Sequence, residues 1–377
     1  MRKFELSVSP DYVSNWSIVD ATRELFQNAL DEQITNSDST MFFEYDGEAV
    51  LRVGNHKSTL EIKSLLLGVS TKREDNKTIG KFGEGYKIAS LVLTRLGKEV
   101  TFFNYGAREI WKPRFVNSRR YGTQVLTFFV DRKYIWQSVP DKYLTIEVQG
   151  VTPEEWTQIV DSNLHLQTLH NYEQTPYGRI LHDERHKGKV YVNGLYICSY
   201  EPYKCGYDFK PECIRLDRDR KLMSDFDLTW LSSKMWNSVA SPRVAELAKE
   251  SCVDVKFLFE TSSYGAKSLD VAADEALKQF KTEFGDKAVP VTSQYEMQDI
   301  PRPYKPVIVG EVYKKLITSS VAYVAPDPIP KVTLHDKFRW WLDRYRDVFT
   351  GSQEPNPEAL DEFEALMEEL KELEGVN

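Results

Sequence analysis

The sequence lacks the features that mark secreted, membrane-spanning and zinc-binding proteins. No apolar run approaches the roughly twenty residues needed to span a bilayer, and the opening MRKFELSVSP has no apolar signal core. The four cysteines show no CxxC spacing, and the six histidines form no HExxH motif. We therefore expect a soluble protein with reduced thiols in a cytoplasm.

The sequence also lacks an excess of positive charge. Its net charge is -8 and its pI is near 5.5. Because phosphate contacts need clustered Lys and Arg, nucleic acid is not the expected partner, although a local basic groove around Arg114, Arg119 and Arg120 stays open. The 377 residues are 41% hydrophobic, which is enough for one large core or two ordinary ones, and two domains is the preferred prediction.

Hydrophobic patterning predicts the elements of the first half. Apolar residues at near-helical spacing predict a helix over about 17–33, and two β-prone runs split by Asp46 and Gly47 predict a hairpin. A second helix is predicted over 60–67, followed by a long polar loop. A helix in YKIASLVLTRL, strands in KEVTFFNYG, YGTQVLTFFVD and YLTIEVQGV, and a helix in TPEEWTQIVDSN complete the order.

Three polar residues of the first predicted helix share one face. Spacings of four and three residues align Glu24, Asn28 and Asp31. The Asn28 oxygen and nucleotide phosphates suit Mg²⁺, and Glu24 could act as general base toward a water. When this pattern is taken alone, an ordinary solvated helix face explains it better than a metal and nucleotide site does.

A glycine-rich stretch, GKFGEGYKIA, precedes the next predicted helix. Gly80, Gly83 and Gly85 allow the backbone to approach a ligand closely, and the following helix N-terminus favours phosphate. Taken alone, the stretch fits a flexible corner nearly as well as it fits a phosphate-binding loop. The polar helix face about fifty residues upstream favours a phosphate site.

Together these motifs resemble those of the GHKL superfamily, whose ATP-binding domain has the Bergerat fold. ELFQNALD resembles the N box, TIGKFGEGYKIASLVL the glycine box at the end of the ATP lid, and RRYGTQVLTFFV the Gly-Thr strand. The resemblance covers about 15–130, is closer to the chaperone and MORC branches than to histidine kinases, and in overall character suggests a phage-type member. It implies an α+β protein: a Bergerat sandwich over 1–175, with a mixed sheet and helices on one face, then an S5-like transducer over 176–330 and a C-terminal helical segment over 331–377.

The resemblance also implies a reaction and its residues. The protein would bind ATP and Mg²⁺ and hydrolyse ATP, with Glu24 as the base and Asn28 as the metal ligand. A basic residue of the second domain would reach the γ-phosphate; the candidates are Lys189, in an alternating strand GKVYVNGLYI, and Arg218 or Arg220, although alternating Asp and Arg usually form solvated ion pairs. The implied nucleotide contacts are Asn28, Asp31, Asn55, Ser70, Thr71, Lys72, Gly80, Lys81, Phe82, Gly83, Glu84, Gly85, Lys87 and Thr123.

One motif departs from the family. Members have Asp-x-Gly-x-Gly after the second hairpin strand, whereas this chain has LRVGNHKSTL, with Gly54 where the aspartate would fall. Asn55 could accept the hydrogen bond from the adenine amine if the strand ends one residue later or bulges. Losing the carboxylate would cost about 1.5 to 3 kcal/mol of base recognition.

The resemblance implies a conformational output. In the family, lid closure over ATP commonly drives dimerisation of the N-terminal domains, and residues 1–14 could take part here. The alternative is a nucleotide-binding or degenerate module that captures another protein, such as a host factor in the host cytoplasm if the protein is viral. The missing aspartate favours that alternative, and Glu24 favours turnover. The C-terminal helix should dock on the body or on another subunit through an apolar stripe of Leu360, Phe363, Leu366, Met367 and Leu370.

Overall fold

A computed structural model of the chain describes residues 1–65, 85–132, 143–214, 224–261, 269–327, 334–345 and 357–374. Within these residues the protein is α+β, as predicted, and its sheets are mainly antiparallel. The chain forms two compact units, Met1–Ala276 and Leu277–Asn377. The three-part division of the sequence stays a prediction.

The first sheet contains β1 Arg2–Glu5, β2 Met41–Tyr45, β3 Val50–Asn55, β4 Glu99–Asn104, β5 Glu109–Asn117, β6 Gln124–Arg132 and β7 Leu144–Gln149. These seven strands lie in the order β1-β6-β5-β4-β7-β3-β2. The helices of this region are α1 Ile18–Thr35, α2 Gly85–Arg95 and α3 Pro153–Asp161.

The implied mixed sheet was wrong for these strands, because every neighbouring pair among them is antiparallel. β3 and β4 do run in the same direction, since Val50 and Glu99 both lie opposite Gln149. β7 lies between them and pairs antiparallel with both. The two parallel strands therefore never meet.

α1 forms where the sequence predicts it. The backbone N–H of Ser17 donates to the Asp20 carboxylate at 2.9 Å, which caps the helix start. Leu25 and Ala29 face the sheet and α2 in the main core. Apolar residues on a second side of the helix, Phe26 and Leu30, pack against Leu195.

The predicted hairpin is confirmed between β2 and β3. Asp46 accepts hydrogen bonds from the backbone N–H groups of Glu48, Ala49 and Val50 at 2.9, 2.9 and 3.0 Å, which lower the pKa of its carboxyl group. Gly47 has φ 87°, in the left-handed region that favours glycine. Of the helix predicted over 60–67, the described residues contain one 3-10 turn, Ile62–Leu65.

The second sheet contains β8 Tyr172–Thr175, β9 Gly178–Leu181, β10 Lys189–Val192, β11 Leu195–Ser199 and β12 Gly206–Phe209, in the order β11-β10-β12-β9-β8. The strand predicted through GKVYVNGLYI is two antiparallel strands, β10 and β11. Asn193 and Gly194 have φ 50° and 78° and form the turn between them. Helices α4 Asp225–Asn237 and α5 Arg243–Lys249 follow in this unit.

Helix α6, Asp270–Phe284, contains the boundary between the two units. The second unit continues with β13 Ala288–Val291 and β14 Lys305–Ile308, which pair in parallel, and with α7 Gln294–Met297, α8 Glu311–Ser319, α9 Leu334–Arg344 and α10 Pro357–Glu374.

The C-terminal helix α10 packs against α9. The Trp341 indole N–H donates to the Ala359 carbonyl at 3.0 Å, and Leu366 is buried in the contact. No helix within the described ranges is both long and apolar enough to cross a membrane.

Candidate functional site

The polar face of α1 is buried. Glu24, Gln27 and Asp31 are exposed by 6%, 1% and 1%, and Asn28 is half-buried. Carboxylates and amides are costly to remove from water, so a helix face of this composition normally lies in solvent. The solvated face that the motif alone favours is therefore wrong.

Gly85, the first residue of α2, lies directly against this face. A Cβ atom built on Gly85 would overlap Asn28 Nδ2 and lie 3.1 Å from Glu24 Oε2. Asn28 Nδ2 also donates to the Glu24 carbonyl at 2.8 Å, which fixes the amide. The structure thus brings Glu24, Asn28 and Gly85 together, and the close approach requires glycine.

The side chain of Arg23 lies beside Glu24. Its Nη2 is 4.0 Å from Glu24 Oε1, and its Nη1 donates to the Tyr196 carbonyl at 3.2 Å. Tyr196 belongs to β11, so this guanidinium connects the acidic residue of α1 with the second sheet.

Asp31 lies close enough to α2 for its charge to act on Tyr86, the residue after Gly85. Burial raises the pKa of the Tyr86 hydroxyl, and the charges of Glu32 and Asp31 raise it further. Lys87, in the same turn, is exposed by 2%, and its Nζ donates to the Ser64 carbonyl at 3.0 Å. The described contact of Lys87 therefore anchors the 3-10 turn that follows β3.

Asn55 is the last residue of β3, and the strand reaches it without a bulge. It lies opposite Leu144 in regular register and is fully buried. Its Nδ2 donates to the Ala29 carbonyl of α1 at 2.8 Å, which orients the amide, and no described residue hydrogen-bonds with its Oδ1. The side chain therefore presents an oriented buried acceptor.

Gly54 explains why an aspartate does not stand one residue earlier. A Cβ atom on Gly54 would overlap the carbonyl oxygen of Leu144 in β7. Side chains alternate along a strand, so Asn55 shares the α1-facing side with Val53 and Leu51 of the core, whereas position 54 faces away.

The loop after Asn55 is held by Asn104 at the end of β4. Asn104 is fully buried, its Nδ2 donates to the Leu60 carbonyl at 2.8 Å, and its Oδ1 accepts from the Leu60 N–H at 3.2 Å. Lys57 in this loop has φ 54°, a conformation that favours glycine.

Sequence reasoning missed Asn104 and Gln27. The partner of Asn104 lies 44 residues away, so no local pattern indicated the contact. Gln27 could have been found, because it lies three residues after Glu24 on the same helix face.

The structure does not bring Thr123 to this site. Thr123 is exposed in the turn between β5 and β6. Asn55 lies at the opposite end of the sheet, on the same side as Asn104 at the end of β4. The motif identifies a Gly-Thr pair but not its direction along the sheet, and this placement corrects the prediction.

Lys189 begins β10 and is half-buried. The remaining predicted residues lie outside the described ranges: Ser70, Thr71, Lys72, Gly80, Lys81, Phe82, Gly83, Glu84, Arg218 and Arg220.

No group of three or more His, Cys, Asp or Glu residues suited to a metal ion occurs among the residues that the structure describes. A magnesium ion held with a nucleotide does not need such a group, because it keeps several waters and takes phosphate oxygens. The half-buried Asn28 beside Glu24 fits that sparse ligand set.

No protein-family model matches the chain. The chain is similar to an uncharacterized protein of Mycoplasma pneumoniae, with 26% identity over 239 residues that span 59% of this chain and 92% of that protein. The name of this relative states no activity.

Proposed function

We propose that the protein binds Mg·ATP through a GHKL-type site and hydrolyses it. The observation that carries the proposal is the contact of Gly85 with Asn28 and Glu24, which joins the polar helix face to the end of the glycine box. The two motifs are far apart in the sequence, and an unrelated fold would give them no reason to meet. A Bergerat fold is part of this proposal.

The oriented amide of Asn55 supports adenine as the base. Its donor is held by the Ala29 carbonyl, so Oδ1 is left to accept a hydrogen bond, and the adenine amine is a donor. Counting from Asn55 in place of the family's aspartate, Lys57 stands at the first glycine of Asp-x-Gly-x-Gly and has the positive φ that such a glycine permits.

The position of Glu24 supports hydrolysis as part of the proposal. Its carboxylate accepts a proton from a water whose oxygen attacks the γ-phosphorus, while the bond from that phosphorus to the bridging oxygen breaks and ADP leaves with the electron pair. A bound Mg²⁺ would neutralise charge on the phosphates, and Asn28 would hold it. Lys189, Arg218 and Arg220 stay the candidates for a basic contact to the γ-phosphate.

A conformational output, with dimerisation through the N-terminal domain, is part of the same proposal. β1 lies at the edge of the first sheet and pairs with β6. Arg95 donates to the carbonyls of Pro10, Tyr12, Val13 and Trp16 at 3.0 to 3.1 Å, so the segment before α1 is tied to α2.

The second candidate function is a nucleotide-binding or degenerate module that captures another protein, such as a host factor; a nucleotide, where one binds, only holds the capturing surface. The absence of the family's aspartate favours it, because Asn55 forms a weaker bond to adenine than a carboxylate does. The two candidates differ in turnover.

The test is ATP hydrolysis together with ATP binding, in Mg²⁺, for the wild type, Glu24→Ala and Asn28→Ala. We expect Glu24→Ala to retain binding and lose hydrolysis, and Asn28→Ala to lose the Mg²⁺-dependent part of the affinity. A wild type that binds no ATP at millimolar concentration would contradict the ATPase, whereas binding without hydrolysis would favour the second candidate.

A further inference from the structure

Gln27 is a buried amide with no described partner. It is exposed by 1%, and neither its Nε2 nor its Oε1 hydrogen-bonds with any residue that the structure describes. A buried polar group without a partner costs free energy, and both halves of this amide are in that condition.

Gln27 lies on the same helix face as the residues to which the proposed chemistry is assigned. It lies three residues after Glu24 and four before Asp31, so the three side chains are neighbours on one helix face. Asn28, the proposed metal ligand, is the next residue.

A buried hydroxyl of α1 is, by contrast, satisfied within the helix. Thr22 is exposed by 1%, and its hydroxyl donates to the Ile18 carbonyl at 2.8 Å. The contrast with Gln27 on the same helix indicates that the unpartnered amide is a local feature of the polar face.

We infer that Gln27 is a further catalytic residue of the site, where its Oε1 accepts a hydrogen bond from the attacking water and its Nε2 donates one to a γ-phosphate oxygen. This inference rests on the proposed function. A water needs several polar partners to be oriented. Glu24 would supply the first partner of the attacking water, and Gln27 would supply the second.

The test compares Gln27→Met with the wild type and with Thr22→Val as the matched control. Methionine keeps the length of the side chain and removes both polar atoms. We expect kcat to fall by about tenfold to a hundredfold, ADP affinity to stay unchanged, and the nucleotide-free protein to melt about 1 to 4 °C higher. Thr22→Val should leave turnover unchanged and should not raise the melting temperature.

Unchanged kcat in folded Gln27→Met would overturn the inference, as would a lower melting temperature with ADP and ATP affinity lost together, which is the result of a structural role. Gln27→Glu, assayed at pH 8, gives a second variant of the same shape whose ionised carboxylate cannot donate; hydrolysis at the wild-type rate in that variant would also overturn it. If the wild type binds no ATP, the proposed function fails, and the melting temperature of Gln27→Met still reports whether the amide is unsatisfied.

Discussion

Two buried polar clusters in the described part of the first compact unit differ in how their groups are satisfied. Asp254 is fully buried, and its carboxylate accepts from the Tyr207 hydroxyl and from the backbone N–H groups of Lys204 and Cys205. The Trp236 indole N–H donates in turn to the Tyr207 hydroxyl at 2.7 Å. Around α1, by contrast, Gln27 and Asn55 have polar atoms with no partner among the described residues.

The difference separates a structural cluster from a candidate site. The donors that face Asp254 join the second sheet, α4 and the segment after α5, so the folded chain itself recovers the cost of burial. The Gln27 amide and the Asn55 Oδ1 do not recover that cost within the described residues, and unsatisfied buried groups are more common where a ligand binds.

Removing the centre of the satisfied cluster should have the largest effect on stability. Asp254→Ala leaves the Tyr207 hydroxyl and two backbone N–H groups buried without their acceptor, which should cost about 3 kcal/mol or more of unfolding free energy. Denaturant unfolding measures this. ATP affinity per folded molecule should not change, and a selective loss of affinity would break the distinction between the two clusters.

His186, beside the second sheet, is a buried residue that differs from Asp254 because one of its polar atoms has no partner among the described residues. It is exposed by 2%, its Nδ1 is 3.0 Å from the Tyr191 hydroxyl, and its Nε2 has no partner in the described residues. Burial, then the charges of Arg185 and Lys189, lowers the pKa of its imidazole to about 4.

Because this folded-state pKa lies below the ordinary value, the unfolded chain binds the proton first as the pH falls. Stability should therefore fall between about pH 7 and pH 4, by about 2 kcal/mol after allowance for solvent screening. His186→Gln should flatten that part of the pH profile, measured by denaturant midpoints. A profile that is equally steep in the variant would show that other groups cause it.

Local signals explain what the sequence could predict. The apolar spacing of α1 and the Asp46-Gly47 turn act within a few residues, and both elements formed as predicted. The Asn193-Gly194 turn carries an equally strong local signal, but the alternating pattern across it predicted a single strand.

Nonlocal pairing explains what the sequence could not predict. Three features depend on residues far apart in the chain. They are the insertion of β7 between β3 and β4, the position of Thr123 at the end of the sheet opposite Asn55, and the hydrogen bond from Asn104 to Leu60. The alignment of the three polar residues of α1 could be predicted from their spacing, but their burial could not.

Gly85→Ala should disturb the side chains of Asn28 and Glu24 and leave the Asp254 cluster unchanged. The new methyl group must displace the Asn28 amide, so Mg²⁺-dependent ATP affinity should fall by about tenfold or more with little change in stability. Gly97→Ala, after the other end of α2, is the control: φ 76° makes it strained, so it should lose about 1 kcal/mol of stability and keep ATP affinity. If Gly85→Ala bound ATP as tightly as Gly97→Ala does, the proposed nucleotide site would be wrong.

Asn55→Asp should have the smallest effect and tests the missing carboxylate directly. In the wild type Asn55 donates to the Ala29 carbonyl, whereas an aspartate would place a second oxygen against that carbonyl unless it took up a proton. We expect a loss of about 1 kcal/mol at pH 8 that diminishes toward pH 5, because protonation restores the donor, and no gain in ATP affinity at neutral pH. Thermal melts at the two pH values and ATP titrations measure this. Tighter ATP binding without loss of stability would mean that the asparagine is only a weaker aspartate, rather than the side chain that this contact with α1 requires.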